Sequence, residues 1–323
     1  MSKITHNIFA PLCFIVFTAL LTFVSTNAQD DEIIKVNTNL LTVPVLVTDS
    51  KQRRIGNLTQ EDFSLLDDGQ KVPITHFSAG AEKVSLLFAL DASGSVREII
   101  EKERDAAVNL FRHFGTGSQI SVLHFNDVIS VAVPFTKDLK RAEKGFVIPA
   151  QANRKTAIFD AALSAITVFS LKDRDPTERK ILILFSDGLD NLSRTKSQNV
   201  IEEANKTDVS IYILHLPIYM ADGNELKLRK PSKGFRDLAE KTGGIYFILG
   251  DVQTSLLPNA RYDLTKVFQT IEDDLKSQYI IGYYPEDLSN SNKTHKISVK
   301  LNAKAKQKLR VRLLKETFNM KGN

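Results

Sequence analysis

Three continuous apolar runs lie in the middle of the chain, and amphipathic segments lie between them. The runs are Ser85–Leu90, Ile181–Phe185 and Ile211–Leu214. Strands whose two faces are both covered by helices have this pattern, because neither face meets water. Apolar residues recur at helical spacing from Ile100 to Phe114 and from Leu264 to Leu275. The alternation of strands and helices predicts a doubly wound α/β domain with a mostly parallel sheet.

One edge of this sheet is expected to differ from the rest. Gln119–Phe125 and Val128–Phe135 are adjacent strand-like segments with only two residues between them. A connection this short joins antiparallel strands, since a parallel pair needs a crossover of a dozen or more residues. The sequence therefore predicts one antiparallel edge strand.

Further strand-like segments lie before and after the α/β part. Neither end has enough strands to bury a core alone, so we expect the two ends to pack together as a small β domain. The segments are Leu40–Val47, Phe63–Leu66, Val72–Ile74, Tyr279–Tyr284, His295–Leu301 and Leu309–Leu313.

The first residues have the pattern of a signal peptide. Lys3 precedes an apolar run of 17 residues from Ile8 to Val24, and Thr26 and Ala28 then occupy the positions of a cleavage site. The alternative is an uncleaved membrane anchor, which the length of the run permits and Pro11 disfavours. We expect cleavage and a secreted, periplasmic or cell-envelope location, with no membrane span afterwards. The expected parts are a signal peptide over residues 1–28, an N-terminal β segment over 33–80, the α/β domain over 81–277 and a C-terminal β segment over 278–317.

Composition narrows the classes of function. The 323 residues are 42% hydrophobic and 25% charged, which is typical of globular proteins. The net charge of +5 comes from ten Lys and Arg against one acid between Lys293 and Lys321. There lysines alternate with apolar residues, which favours the solvated face or edge of a strand over a nucleic-acid surface. The only cysteine, Cys13, lies in the signal peptide. Disulfides, zinc–thiolate sites and cysteine catalysis are therefore excluded from the mature chain.

Oxygen-bearing side chains follow two of the buried strands. Asp91, Ser93 and Ser95 come directly after the first strand, and Asp187 follows another in a Ser-Asp-Gly sequence. Thr156 precedes a predicted helix. The carboxyl ends of parallel strands share one edge, where ligands bind. Oxygen ligands alone favour a hard cation such as Mg²⁺. Asp and Ser at a strand end also form turns and helix caps, so the first motif by itself is weak.

Together these pieces resemble the metal-ion-dependent adhesion site of von Willebrand factor type A domains. The resemblance implies a Rossmann-like fold in which Ser93, Ser95 and Thr156 contact the metal directly. It also implies that Asp91 and Asp187 hold the metal largely through water and that one position stays open for a ligand's carboxylate. Mg²⁺ is the expected metal, with Mn²⁺ or Ca²⁺ as alternatives.

A narrower resemblance is to a bacterial group of exported "von Willebrand factor type A related" proteins, in which the flanking β segments belong to the same unit. It is carried by Asn57–Phe63, Thr156–Asp160, Asp187–Ser193 and Tyr279–Tyr284. The chain departs from the family at Asn153-Arg154-Lys155, where glycines are common. Two cations there would attract an anionic partner or pair with nearby acids.

These features predict an exported, metal-dependent protein-interaction or adhesion module that binds an Asp or Glu carboxylate of a partner protein. The alternative is a structural or assembly component of a bacterial envelope complex whose metal mainly stabilises the fold. No enzyme is expected and no catalytic residue is assigned, because no catalytic motif occurs. The histidines are scattered, although His215 ends a buried strand at the same edge. Asp190 and Ser193 are expected to stabilise their loop, and Asp160 to orient the Thr156 loop or to cap its helix.

Overall fold

The structure is a computed structural model that describes most of the chain after residue 39. The described residues are 40–51, 53–80, 83–92, 96, 99–101, 104–114, 117–149, 155–172, 175, 177–223, 225–256, 262–285, 294–302, 309–313 and 317–319. The predicted signal peptide and the predicted site residues Ser93 and Ser95 lie outside them, as does Arg154. Over these ranges, every helix is too short or too polar to cross a bilayer.

Strands and helices alternate in the middle of the described chain, and the described residues before and after this part form mainly strands, with one 3-10 turn at Gln60–Asp62. The strands are β1 (Leu41–Thr48), β2 (Phe63–Asp67), β3 (Gln70–Val72), β4 (His76–Ala79), β5 (Val84–Asp91), β6 (Gln119–Phe125), β7 (Ile129–Thr136), β8 (Arg179–Ser186), β9 (Val209–His215), β10 (Tyr219–Asp222), β11 (Glu225–Leu228), β12 (Tyr246–Ile248), β13 (Gln278–Tyr283), β14 (Thr294–Leu301), β15 (Arg310–Leu313) and β16 (Thr317–Asn319). The helices are α1 (Arg104–Arg112), α2 (Leu139–Gly145), α3 (Ile158–Ser170), α4 (Ser197–Lys206), α5 (Phe235–Glu240), α6 (Val252–Leu256) and α7 (Thr265–Lys276).

A six-stranded sheet forms the centre of the α/β part, in the order β12-β9-β8-β5-β6-β7. Five strands are parallel, and β7 pairs with β6 in the antiparallel direction. The predicted parallel sheet with one antiparallel edge strand is therefore confirmed.

Helices cover both faces of this sheet. Successive strand residues point to opposite faces, so each strand contributes side chains to two cores. In β5, Leu86, Phe88 and Leu90 enter one apolar core with α1, α2 and α7. Leu87 and Ala89 enter the other core, with α3, α4 and α5. A strand buried on both sides in this way has no polar face, which explains the continuous apolar runs in the sequence.

Strands from the two ends of the chain pair with each other in two antiparallel sheets. Their orders are β15-β1-β13-β4 and β16-β14-β2-β3. The register of β1 on β13 runs from Leu41 opposite Tyr283 to Leu46 opposite Gln278. Val43, Val45, Leu65, Tyr279, Ile281 and Ile297 belong to their shared apolar core. Each sheet thus combines strands that precede the α/β part along the chain with strands that follow it.

The lysines of β14 lie on its solvent-facing side. Lys296 and Lys300 are exposed, whereas Ile297 and Val299 between them are buried. Both edges of β14 are paired, with β16 and β2. These lysines therefore mark a solvated face rather than an open strand edge.

A buried polar network joins the terminal sheets to the edge where the parallel strands begin. Arg54 forms an ion pair with Asp274 of α7, which also accepts a hydrogen bond from Gln278 Nε2 at 3.2 Å. Gln278 Oε1 in turn accepts from Arg179 Nη2 at 2.7 Å. Because Arg179 begins β8, this network occupies the amino-terminal edge of the central sheet. The opposite edge is left for the predicted site.

Candidate metal centre

The predicted ligands Asp91 and Asp187 lie at the carboxyl ends of neighbouring parallel strands. Asp91 is the last residue of β5, and Asp187 follows Ser186, the last residue of β8. The pairing of β5 with β8 places Leu90 opposite Phe185. The two carboxylates therefore lie at the same edge of the sheet, at the ends of two adjacent strands.

Asp91 is held by a side chain that sequence analysis did not single out. Ser186 Oγ donates a hydrogen bond to Asp91 Oδ2 at 2.7 Å, and both residues are fully buried. The same hydroxyl accepts from Gly188 N at 3.2 Å. Ser186 thus fixes the carboxylate of one strand to the turn that leaves the next. The only signal in the sequence is the serine before the Asp-Gly pair.

Asp187 is positioned through its side chain and its backbone. Asp187 Oδ1 accepts from Leu189 N at 2.9 Å. Its carbonyl oxygen lies 3.0 Å from His215 Nε2 at the end of β9. Burial raises the pKa of Asp187, and the hydrogen bond from Leu189 and the charge of Arg229 offset part of the rise. Burial therefore disfavours the ionised form of this carboxylate.

His215 supports Asp187 rather than offering a free base. Its Nδ1 lies 2.5 Å from the hydroxyl of Tyr246, and the ring is fully buried. A carbonyl oxygen only accepts, so Nε2 carries the hydrogen and Nδ1 accepts from the tyrosine. Burial lowers the pKa of His215, and the backbone contact with Asp187 opposes this in part. Both ring nitrogens of His215 are therefore engaged.

The turn after Asp187 requires glycine. Gly188 has a φ of +79°, and a Cβ at this position would lie 2.8 Å from Pro231 Cβ. A side chain would be strained by the backbone and would also displace the loop that contains Pro231. The loop after β8 therefore packs tightly against the loop before α5.

Thr156 is tied to the same loop from the other side. Thr156 is 5% exposed, and its backbone N–H donates to Asn191 Oδ1 at 2.8 Å. Asn191 N donates back to the Thr156 carbonyl at 3.1 Å. Ala157 N donates to Asn126 O, just after β6, at 3.0 Å. These bonds bring the Thr156 loop to the sheet edge that carries Asp91 and Asp187.

The loop after β8 also caps helix α3. The N-cap residue Ala157 has no side-chain acceptor, so Asp190 Oδ2 accepts from Phe159 N at 3.1 Å and Ser193 Oγ from Asp160 N at 3.1 Å. The loop-stabilising role predicted for Asp190 and Ser193 is confirmed. Asp160 connects the helix to the loop in turn: its carboxylate, in α3, accepts hydrogen bonds from the backbone N–H groups of residues 194 and 195 in the loop after β8, at 3.0 and 2.9 Å.

Another cluster of potential metal ligands lies in the terminal sheets. One ligand atom from each of Asp67, Asp68 and His295 falls within 4.8 Å of the others. Asp67 Oδ2, however, already contacts His295 Nδ1 at 2.7 Å and accepts from the Tyr283 hydroxyl at 2.5 Å. These contacts join β2, β13 and β14 by hydrogen bonds, so the cluster stabilises the packing of the terminal sheets. It is separate from the edge that carries Asp91.

Comparisons with known proteins agree with this fold. The family model of the von Willebrand factor type A domain matches residues 85–258, more than half of the chain. A search of the curated proteins gave no match.

Several solved structures are similar at low identity. An aerotolerance-related membrane protein from Bacteroides fragilis is 15% identical, with a TM-score of 0.45 over 59% of this chain and 98% of that one. Proximal thread matrix protein 1 from the mussel byssus, with a zinc-occupied MIDAS motif, is 17% identical, with a TM-score of 0.45 over 59% and 48%. A von Willebrand factor type A protein from Catenulispora acidiphila is 13% identical, with a TM-score of 0.44 over 88% and 73%.

Proposed function

The chain belongs to the von Willebrand factor type A domain family, and we propose that it is an exported interaction module that captures an acidic group of a partner protein through a divalent cation. The observation that carries this proposal is the pair of carboxylates, Asp91 and Asp187, at adjacent strand ends. Thr156 is tied to the same edge. Export rests on the signal peptide predicted over residues 1–28, and the division into residues 33–80, 81–277 and 278–317 is likewise part of the proposal.

The donor set fits a hard cation. Every proposed ligand offers oxygen, and oxygen ligands favour Mg²⁺, with Mn²⁺ or Ca²⁺ as alternatives. Asp187 forms no ion pair among the described residues, and its raised pKa reflects burial of a charge that a cation would compensate. Asp91, Ser93, Ser95, Thr156 and Asp187 would hold the metal. When bound, it supplies an open coordination position for an outside carboxylate.

The chain's own residues keep this site in shape. Ser186 orients Asp91, His215 and Leu189 orient Asp187, and Asn191 fixes the backbone of Thr156. These hydrogen bonds need no metal, so the loops should stay folded without it. This favours partner binding over the alternative in which the metal of an envelope component mainly stabilises the fold.

The histidine that contacts Asp187 is not available as a general base. Both ring nitrogens of His215, at the end of β9, are engaged by Tyr246 and the Asp187 carbonyl. A hydrolase would need a general base within reach of the reacting group. The described part of the site offers no histidine for that purpose.

Calorimetric titration with Mg²⁺ tests the metal assignment. Thr156→Ala removes one neutral oxygen ligand and should weaken Mg²⁺ binding without changing the far-UV circular dichroism, as should Ser93→Ala and Ser95→Ala. Thr167→Ala is the matched control, because Thr167 lies on the exposed face of α3 and donates only to the Leu163 carbonyl. Unaltered affinity in Thr156→Ala would refute the assignment.

An affinity capture tests the function. The mature chain is immobilised with Mg²⁺, exposed to envelope proteins and eluted with EDTA. A partner released by EDTA from the wild type, and absent from Thr156→Ala, supports the proposal. Unfolding of the protein on chelation would instead favour the structural alternative.

A further inference from the structure

Five exposed cations lie on two loops beside the proposed site. Arg194 and Lys196 belong to the loop after β8, and Arg229, Lys230 and Lys233 belong to the loop between β11 and α5. We call this set the cationic rim. All five side chains are exposed, and none forms an ion pair with another described residue.

The two loops are fastened to each other and to the site. Ser232 N donates to the Gly188 carbonyl at 2.8 Å. Asp190 N donates to Ser232 Oγ at 2.8 Å, and that hydroxyl donates to the Asp190 carbonyl at 3.2 Å. Ser232 lies next to Lys233, and Gly188 directly follows the proposed ligand Asp187. The rim is therefore adjacent to a proposed ligand and held in place by hydrogen bonds.

Acidic residues near this edge neutralise only part of the charge of the rim. The carboxylate of Asp160 accepts backbone hydrogen bonds and also interacts with the charge of Arg194. Asp222 of the β10–β11 hairpin pairs with Lys227 at 2.7 Å. Asp127 and Asp251 follow β6 and β12, which are not the strands that lead into the two loops. Glu225 is exposed at the turn of the hairpin. Together the two loops, residues 187–196 and 229–234, carry the five cations of the rim against two acids, Asp187 and Asp190, and so have an excess of positive charge.

We infer that the partner presents an acidic segment of polypeptide, with at least two carboxylates besides the one that occupies the open position. This inference rests on the proposed function and specifies its ligand. One carboxylate would engage one or two of the five cations, whereas a segment carrying several would cross both loops. The guanidinium groups of Arg194 and Arg229 offer paired N–H donors to such carboxylates.

Three synthetic peptides of equal length test this inference. They carry three glutamates, one central glutamate or none, with glutamine at the remaining positions. Binding to the mature chain is measured by fluorescence anisotropy with Mg²⁺ at low salt, where screening is least. Since exposed ion pairs each contribute less than about a fivefold gain, the three-glutamate peptide should bind about tenfold more tightly than the one-glutamate peptide.

Two triple variants with the same loss of charge complete the experiment. Lys196→Ala/Lys230→Ala/Lys233→Ala should lose most of that preference while its calorimetric Mg²⁺ affinity is kept. The control is Lys137→Ala/Lys140→Ala/Arg141→Ala, whose cations are also exposed and unpaired among the described residues but follow the antiparallel edge strand β7. It should keep the full preference.

Each outcome decides between the two proposals. If the one-glutamate peptide binds as tightly as the three-glutamate peptide, or if the rim variant keeps the preference, this inference is wrong and carboxylate capture stands. If the control loses the preference equally, net charge rather than the rim is responsible, and the inference is also wrong. If Mg²⁺ binds but neither glutamate peptide does, carboxylate capture itself is refuted.

Discussion

Replacing Ser186 by alanine tests whether a hydroxyl outside the proposed ligand set positions Asp91. Ser186 Oγ donates to Asp91 Oδ2 at 2.7 Å, and both residues are fully buried. Ser186→Ala leaves the carboxylate oxygen without this donor. Hydrogen bonds to charged groups contribute about 1.5–3 kcal/mol, so the free energy of unfolding of the metal-free protein should fall by about 2 kcal/mol.

The same substitution should weaken Mg²⁺ binding, because the Asp91 carboxylate loses the contact that sets its orientation. Loss of a group that orients a metal ligand typically lowers metal affinity by about 10–100-fold. At 100 times the wild-type dissociation constant, Mg²⁺ stabilises the wild type by about 2.7 kcal/mol. A tenfold weaker affinity reduces this gain to about 1.4 kcal/mol at the same concentration.

Urea unfolding followed by circular dichroism, with and without Mg²⁺, measures both effects. Ser121→Ala is the matched control, since Ser121 is fully buried in β6 and donates to the Val133 carbonyl at 2.8 Å. Ser121→Ala should lower the free energy of unfolding by about 1 kcal/mol, and Mg²⁺ should stabilise this variant as much as the wild type. If Ser186→Ala also keeps the full gain, the hydroxyl does not position the metal ligand, and the reasoning is refuted.

Three further predictions concern stability. Arg54→Ala leaves the buried carboxylate of Asp274 without its ion pair and should lower the free energy of unfolding by about 3–5 kcal/mol in chemical denaturation, whereas an unchanged midpoint would contradict the network. Burial raises the pKa of Asp175, but hydrogen bonds, led by that from Lys83, lower it from 3.8 to about 2. A lowered folded-state pKa stabilises the protein above pH 3.8, so Asp175→Asn should lower the free energy of unfolding by a constant amount there. In urea unfolding at a series of pH values, this loss should disappear as the pH falls toward about 2, and a loss that does not change with pH would contradict the prediction. Removing residues 285–323 deletes the strand that pairs with β2, so amide exchange in β2 should accelerate; unchanged exchange would show that the two ends are independent.

Sequence was sufficient for the elements whose pattern is local. Continuous apolar runs predicted β5, β8 and β9, and the two-residue connection predicted the antiparallel edge. Asp91 and Asp187 were chosen because they directly follow such runs. Strand direction then placed them at one edge of the sheet, as the pairing of β5 with β8 shows.

The remaining features depend on contacts between distant parts of the chain. The bond from Ser186 to Asp91 joins residues 95 positions apart, and the bond from Thr156 to Asn191 joins residues 35 apart. No periodicity encodes such pairs. The same holds for the cap of α3, which comes from Asp190 and Ser193 because the local residue, Ala157, has no acceptor.

Sequence alone thus determined the alternation of strands and helices and the positions of the acidic residues at strand ends, because burial on two faces and strand direction leave a local pattern. Tertiary structure decided which side chains orient those acids and which cations surround them. Arg229 and Lys233 come near the site only because Ser232 bonds to Gly188 and Asp190, more than 40 residues earlier. A hydrogen bond of this kind depends on how two loops leave neighbouring strands, which is settled only when the sheet is assembled.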